Sequence, residues 1–423
     1  MISRHRPFNS ALEGLAKSYS TGYQPAFTSC LGRAGSAERP RILQFLCTDI
    51  RAGVAEHVIS LVTRLEKHGF ASYIAAPPAL LRQIAGDLSA TSVRLIAADM
   101  SSPLDFREAA RLVRIFRQER IDLLHCHLVI ASFCSSPEAR LAGVKAVIET
   151  CHGRETWREG KWLKGSFWFD RQIGRLLDQY IAVSDAVARH LRDSKRIPAS
   201  KITVIRNGRD LSRFRPAFPG ERARLRSLLG LCEEDRAALV LGRLSEEKGQ
   251  GLAIEALSSL ATRWPGLRLL LVGDGPCETE LRKRAEDLGV SSRIRFMGFR
   301  ADTAQLLRAA DLVVMPSLSE GLPLVAVEAL ATARAVVATR VGGTPEVITD
   351  GETGLLVRPD AVKLAAAIER VLADPALANQ LGSRGRKFIE EHFDIERQVE
   401  QTASLYRGLL GSSRSSPYAM ASP

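Results

Sequence analysis

No run of about 18 apolar residues occurs in this chain, so no helix is expected to span a membrane. There is no C-x-x-C pair either; the seven cysteines stand singly at 30, 47, 126, 134, 151, 232 and 277. An odd, scattered set excludes a disulfide framework and a zinc site, and it fits a reducing cytoplasm. Zinc-finger and RNP-like patterns are missing too, which disfavours nucleic acid as a partner. No internal repeat of roughly 20–50 residues and no low-complexity tract is present, so solenoids are excluded. Residues 1–40 mix Arg, Ser and Gly around no central apolar stretch. They are expected to form a disordered extension rather than a secretory signal.

What is present is ordinary globular material. The 423 residues are 45% hydrophobic and 25% charged, enough for two or three domains with packed cores. Lys and Arg number 59 against 47 Asp and Glu, a net charge of +12 that favours anionic partners such as phosphorylated substrates or acidic lipid surfaces.

Short apolar runs alternate with amphipathic stretches. Strands are expected at Arg41–Cys47, Ser72–Ala76, Val93–Ala97, Ile121–His125, Val147–Thr150, Gln179–Val183 and Ile202–Arg206. Helices are expected at His57–His68, stopped by Gly69, and at Phe106–Arg120. The pattern pauses in a strandless stretch carrying Pro216 and Pro219, then resumes. Strands follow at Ala238–Gly242, Leu267–Gly273, Arg293–Met297, Leu312–Met315, Ala335–Thr339 and Leu355–Val357, with helices at Leu252–Arg263, Thr279–Leu288 and Val325–Ala333. This βα alternation predicts an α/β protein of two doubly wound, Rossmann-like domains facing a central cleft. The expected bounds are 41–212 for the first domain, 213–235 for a linker and 236–393 for the second. A helix over 394–410 is expected to pack back on the first domain, and 411–423 to fray.

Residues suited to chemistry cluster where strands end. Ser317-Leu-Ser-Glu320-Gly321-Leu322-Pro323 leads into a helix that carries Glu328 two turns inside. Free N–H groups at such a helix start suit an anion, and carboxylates there suit sugar or ribose hydroxyls. Gly242-Arg243-Leu-Ser-Glu-Glu-Lys248-Gly249 offers a guanidinium fork and a mobile ammonium, a pair able to neutralise a diphosphate without metal. Ala52-Gly53 lets backbone approach a ligand closely. His152, just past a strand, can hydrogen-bond a reacting group near neutral pH. His125-x-His127 places two imidazoles on one strand face; read alone, these are structural rather than metal ligands. Gly273-x-Gly275 lacks the third glycine of a dinucleotide fingerprint, which excludes NAD. No D-x-D pair exists to hold a metal–diphosphate, so no metal and no cofactor is expected.

Taken in order, these motifs resemble the retaining GT-B glycosyltransferases of family four, from about Arg41 to Val357. The carrying residues are Glu320-x(7)-Glu328, Gly242-Arg243-x(4)-Lys248-Gly249, Gly342-Gly343-x-Pro345-Glu346-Val347-Ile348, Asn207-Gly208-x-Asp210 before Phe214-x-Pro216, and Val183-Ser184. The resemblance implies transfer of a sugar from a nucleoside-diphosphate sugar to an acceptor hydroxyl, in lipid-linked polysaccharide or other glycan assembly. It implies that Arg243 and Lys248 bind the donor diphosphate and that Glu328 holds the ribose. Glu320, with the backbone of Gly321 and Leu322, would contact the transferred sugar, and Phe299 and Arg300 would border the base. Ala52 and Gly53 would approach the diphosphate from the first domain, with His152 near sugar and acceptor. Ala52 departs from the family's usual Gly. A nucleotide-sugar 2-epimerase of the same fold and a non-catalytic sugar-nucleotide binder stand as alternatives.

Aromatic residues are only 6% of the chain, so their crowding between His152 and Tyr180 is informative. Trp157, Trp162 and Trp168 lie there, interleaved with Arg154, Arg158, Lys161, Lys164, Arg171 and Arg175. That composition suits a lipid interface. Two readings stand: the aromatics pack the first domain's core or wall a soluble acceptor's pocket, or a cytoplasmic enzyme touches the inner, anionic face of a membrane here and takes a lipid-linked acceptor.

Overall fold

The computed structural model describes residues 39–49, 51–99, 105–153 and 167–412. The expected extension up to residue 38, the tail from 413 and the Trp157–Trp162 segment lie outside them.

The chain builds two parallel sheets in succession. The first contains β1 (Arg41–Leu46), β2 (Ala71–Ala76), β3 (Arg94–Ala97), β4 (Leu123–His127), β5 (Ala146–Cys151), β6 (Gln179–Ala182) and β7 (Ile202–Val204), in the order β3-β2-β1-β4-β5-β6-β7. The second contains β8 (Arg236–Leu241), β9 (Leu267–Val272), β10 (Ile294–Phe296), β11 (Leu312–Met315), β12 (Ala335–Thr339) and β13 (Leu355–Val357), in the order β10-β9-β8-β11-β12-β13. Each sheet reverses its winding beside its first strand, between β1 and β4 and between β8 and β11. Such a reversal opens a crevice at the carboxyl ends of the strands. The loops after β1, β4, β8 and β11 are therefore where ligands are to be sought.

The strand readings hold to within a residue or two, because strands covered on both faces are near-continuous apolar runs. Strand β4 is the informative shift: it runs two residues further than expected and takes in His127. The first helix spans Gly53–Leu65 and starts four residues early, because Ala52 accepts its first backbone bond without a capping side chain (Glu56 N to Ala52 O, 3.0 Å). The strandless stretch 213–235 carries a helix, Glu221–Leu228, whose Arg226 is buried and donates to Asp311 and to the carbonyls of Cys232 and Asp235. Helices at Pro78–Leu88, Thr303–Ala309 and Ala361–Ala373 were not anticipated.

Alternation along β1, β4 and β5 gives one face two characters. Ile42, Leu123 and Ile148 make it apolar near the strand starts, while Gln44, His125, His127 and Thr150 make it polar toward the carboxyl ends. The last helix, Ile395–Ser412, lies over this face. Its Val399, Ala403 and Tyr406 are fully buried against Ile42, Leu61, Leu123, Ile148 and Ile181.

Candidate active site

On the second sheet, the loop after β8 folds onto the end of β11. A Cβ on Gly249 would run into the Pro316 carbonyl, so only glycine permits the approach, and its φ of +62° favours glycine as well. The approach brings Lys248 Nζ to 2.7 Å from Glu320 Oε1, which also accepts from Ser317 Oγ at 2.7 Å. Arg243 is exposed and forms no ion pair with any described residue. Lys248 balances Glu320, and the Arg243 guanidinium is left to pair with an incoming anion such as a phosphate.

Glu328 sits inside the helix Leu324–Ala331 and is buried. Its Oε1 accepts from Arg209 Nε at 2.7 Å, and both side chains are about nine-tenths covered. Neither glutamate caps the helix, whose N-cap is Pro323 without a side-chain bond. Arg209 is held in turn by backbone bonds to Phe393 and Ile395 at the entry to the last helix. Breaking a buried pair strands the remaining charge at a cost of about 3–5 kcal/mol. Arg209→Ala is therefore expected to lower the urea midpoint markedly. Adding Glu328→Ala should restore part of the loss; an unchanged midpoint in the single variant would count against the pair.

The two sheets meet along glycines. A Cβ on Gly321 would collide with the His152 carbonyl and approach Gly153 Cα at 2.9 Å. Cβ atoms on Gly342 and Gly343 would collide with the carbonyls of Glu320 and Gly321. Ser184 Oγ donates to the Gly321 carbonyl at 2.8 Å. Glu346 accepts from the N–H groups of Asp185 and Ala186, both at 2.9 Å, and pairs with Arg206. The Gly342–Ile348 motif is thus a clasp between the sheets.

His152 stands at this seam with three other imidazoles. Its Nε2 lies 3.2 Å from His127 Nδ1, and its ring meets the His57 ring edge-on at 5.0 Å. Burial pushes the proton affinity of His152 down to about 4 and that of His125 to about 3. His57 and His127 are lowered well below the ordinary 6.5 by burial first and by neighbouring rings second. Leu128, directly after His127, has φ +74° and ψ +150°, a region that costs a branched residue of order 1–3 kcal/mol and clusters at functional sites.

Residues 51–213 match the family model described as Glycosyltransferase Family 4, and residues 221–388 match Glycosyl transferases group 1. An alpha-maltose-1-phosphate synthase of Mycolicibacterium smegmatis is 30% identical over 392 residues, covering 85% of this chain and 96% of that protein. The chain is a family-four glycosyltransferase. The same organism's GDP-mannose-dependent alpha-(1-6)-phosphatidylinositol monomannoside mannosyltransferase is 32% identical over 315 residues, 71% of this chain and 80% of that one. Among solved structures, Anabaena HepE in complex with UDP and glucose shares the GT-B fold, with a TM-score of 0.78 at 22% identity over 87% of this chain and 100% of that chain.

In this glycosyltransferase the structure brings together Lys248, Glu320, Gly321 and His152 at the meeting of the two sheets. Leu322, next in the chain, is buried, Arg243 is exposed, and Ala52 and Gly53 lie at the exposed start of the helix that carries His57. Phe299 is 63% exposed, and Arg300 is forked onto Asp302 at 2.7 and 2.6 Å, so its charge is committed there. No hydrogen bond or ion pair joins either to the cluster. Gly273 and Gly275 serve architecture: Cβ atoms there would collide with the carbonyls of Gly242 and Leu244. The sequence reading missed Arg209, which occupies the unspecified position of Asn207-Gly208-x-Asp210. It also missed Gln44, Gln398 and Tyr406, for which no local signal exists.

Proposed function

We propose that this glycosyltransferase moves a hexosyl group, with retention at the anomeric carbon, from a nucleoside-diphosphate sugar to an acceptor hydroxyl. Residues 236–393 hold the donor and 41–212 receive the acceptor. The observation that carries the reading is the Lys248–Glu320 pair, set where the second sheet reverses and pressed through Gly321 onto His152. Charge grows on the diphosphate as the sugar leaves. Arg243 supplies positive charge to it, and Lys248, oriented by Glu320, adds a charged hydrogen-bond donor, which lowers the barrier. Glu320 is bound through Oε1 to Lys248 and Ser317, and Glu328 through Oε1 to Arg209; this reading gives both electrostatic roles and assigns neither as a nucleophile. Same-face attack, with the departing phosphate oxygen taking the acceptor's proton, accounts for retention. His152, neutral at pH 7, is a hydrogen-bonding partner rather than a general acid. Glu328, held by Arg209, accepts from a ribose hydroxyl in this reading.

The test is transfer by purified protein from a panel of nucleotide sugars in the presence of EDTA. Glu320→Gln should keep the fold and lose about two to three decades of turnover, the usual loss for one electrostatic contact at such a site. A folded variant with near-normal turnover would remove Glu320 from the reaction. An epimer formed from donor alone would replace transfer by the epimerase reading.

The acceptor is lipid-linked and met at an anionic membrane surface. Among the described residues no helix is long and apolar enough to cross a membrane. Support comes from Trp168 and Phe169, each 53% exposed at the start of the helix Trp168–Gly174, with Arg171 and Arg175 exposed beside them. Aromatic rings beside cations suit the headgroup region. Purified protein should sediment with anionic but not neutral liposomes and be released by salt. Trp168→Ala with Phe169→Ser should weaken sedimentation at least threefold. Indifference to anionic liposomes at low salt would end the membrane reading and leave transfer untouched.

A further inference from the structure

Four of the eight histidines, His57, His125, His127 and His152, gather at the carboxyl ends of β4 and β5 and on the adjoining helix. Ring nitrogens of His57, His127 and His152 all lie within 4.8 Å of one another, spacing that invites a metal ion. The hydrogen bonds around them argue otherwise. A backbone N–H can only donate, and Gly208 N–H donates to Gln398 Oε1 at 2.7 Å. The other end of that amide, Nε2, must therefore donate to His57 Nδ1 at 3.1 Å. A neutral His57 then carries its proton on Nε2, which is buried without a partner and has no lone pair for a metal.

The same reasoning runs through the remaining rings. Gln44 Nε2 donates to the Tyr406 hydroxyl at 3.1 Å, and the hydroxyl hydrogen is left for His125 Nδ1 at 2.6 Å. His125 Nε2–H then goes to Thr150 Oγ1 at 2.6 Å. Gln44 Oε1 accepts from His127 Nε2–H at 2.8 Å, so His127 Nδ1 is bare. It accepts from His152 Nε2–H at 3.2 Å, and His152 Nδ1 is bare in turn. Of the four rings only His152 is not fully buried, so this chain of bonds has one open end. Turning the Gln44 amide over would reverse the bonds from Tyr406 to His152 and place a proton on His152 Nδ1. The amide is thus the point at which the direction is set.

We infer that Gln44, acting through His127, is a positioning residue that keeps the His152 proton on Nε2, so that His152 meets its substrate through Nδ1 as a hydrogen-bond acceptor. The ligand class this selects is a hydroxyl group that donates. The inference rests on the placement of His152 beside the transferred sugar, and its test separates the two. Histidine labelled with 15N in the full chain, with His152 assigned by a His152→Asn variant, should show His152 protonated at Nε2 and bare at Nδ1 at pH 7.5. Gln44→Leu removes the acceptor for His127 Nε2–H. It should give His152 a mixture of tautomers and lower kcat about tenfold, with KM changed less than twofold. Gln44→Glu keeps an acceptor and adds a charge. It should restore the Nε2–H form and move the acid limb of the pH–rate profile upward by about one unit. A wild-type His152 protonated at Nδ1, or one whose 15N signals ignore Gln44→Leu, overturns the inference. So does stoichiometric Co2+ binding with ligand-field bands that are lost in His57→Ala. If the 15N signals respond and turnover does not, the positioning stands and the placement of His152 at the sugar falls.

Discussion

Gly321→Ala is expected to reduce transfer by about a hundredfold or more in a protein whose two sheets remain folded. The added methyl meets the His152 carbonyl oxygen, its carbon at 2.8 Å and Gly153 Cα at 2.9 Å, all of them backbone that cannot rotate away. The only relief is to separate the sheets at the seam. A shift of about 1 Å in reacting groups commonly costs two decades in rate. Circular dichroism should stay at wild-type values, and small-angle scattering should report a larger radius of gyration. Wild-type turnover with unchanged scattering would mean that the seam is not held as described.

The second large effect is on stability against acid. His57, His125, His127 and His152 have folded-state proton affinities below the ordinary value, His125 down to about 3 and His152 to about 4. The unfolded chain takes up protons at these positions as pH falls through about 6.5, while the folded chain does not. Their contribution is therefore complete above that pH and is lost as pH falls from about 6.5 toward 4. At pH 5 His125 and His152 each cost about 2 kcal/mol relative to neutrality. Two rings alone remove about 4 kcal/mol, a large part of the ordinary 5–15 kcal/mol of a folded domain. Urea midpoints at pH 7.5 and 5.0 should differ strongly, with an uptake of at least two protons on unfolding near pH 5. Equal midpoints would show that the rings are not held neutral.

Both effects arise where the sequence was only partly legible. The strands could be read because parallel strands buried on both faces are apolar throughout. The Glu320 and Lys248 motifs could be read because their spacing is local. The expected strand stopped two residues short of His127, although the His125-x-His127 spacing already set both imidazoles on one face. Only hydrogen bonds from distant residues make its burial tolerable. Gln44 and Tyr406 touch across 362 positions, and no local pattern encodes such a meeting. Arg209 was passed over because it fills an unspecified position within a motif. Its importance comes from Glu328, 119 residues away, which packing alone brings beside it. Arg300 shows the opposite case, a motif residue whose charge a near neighbour, Asp302, already holds.

The last helix has a consequence for the order of synthesis. Ile42, Leu123, Ile148 and Ile181 leave the ribosome early, yet the side chains that cover them, Val399, Ala403 and Tyr406, are among the last made. Roughly 200 residues separate the end of the first sheet from its cover, or about 10–40 s at ordinary rates of translation. Throughout that interval the nascent first sheet carries an uncovered apolar face and a half-built row of imidazoles lacking Tyr406 and Gln398. A nascent chain with this topology is expected to expose that face until residues 395–412 emerge, the kind of surface on which holding chaperones act.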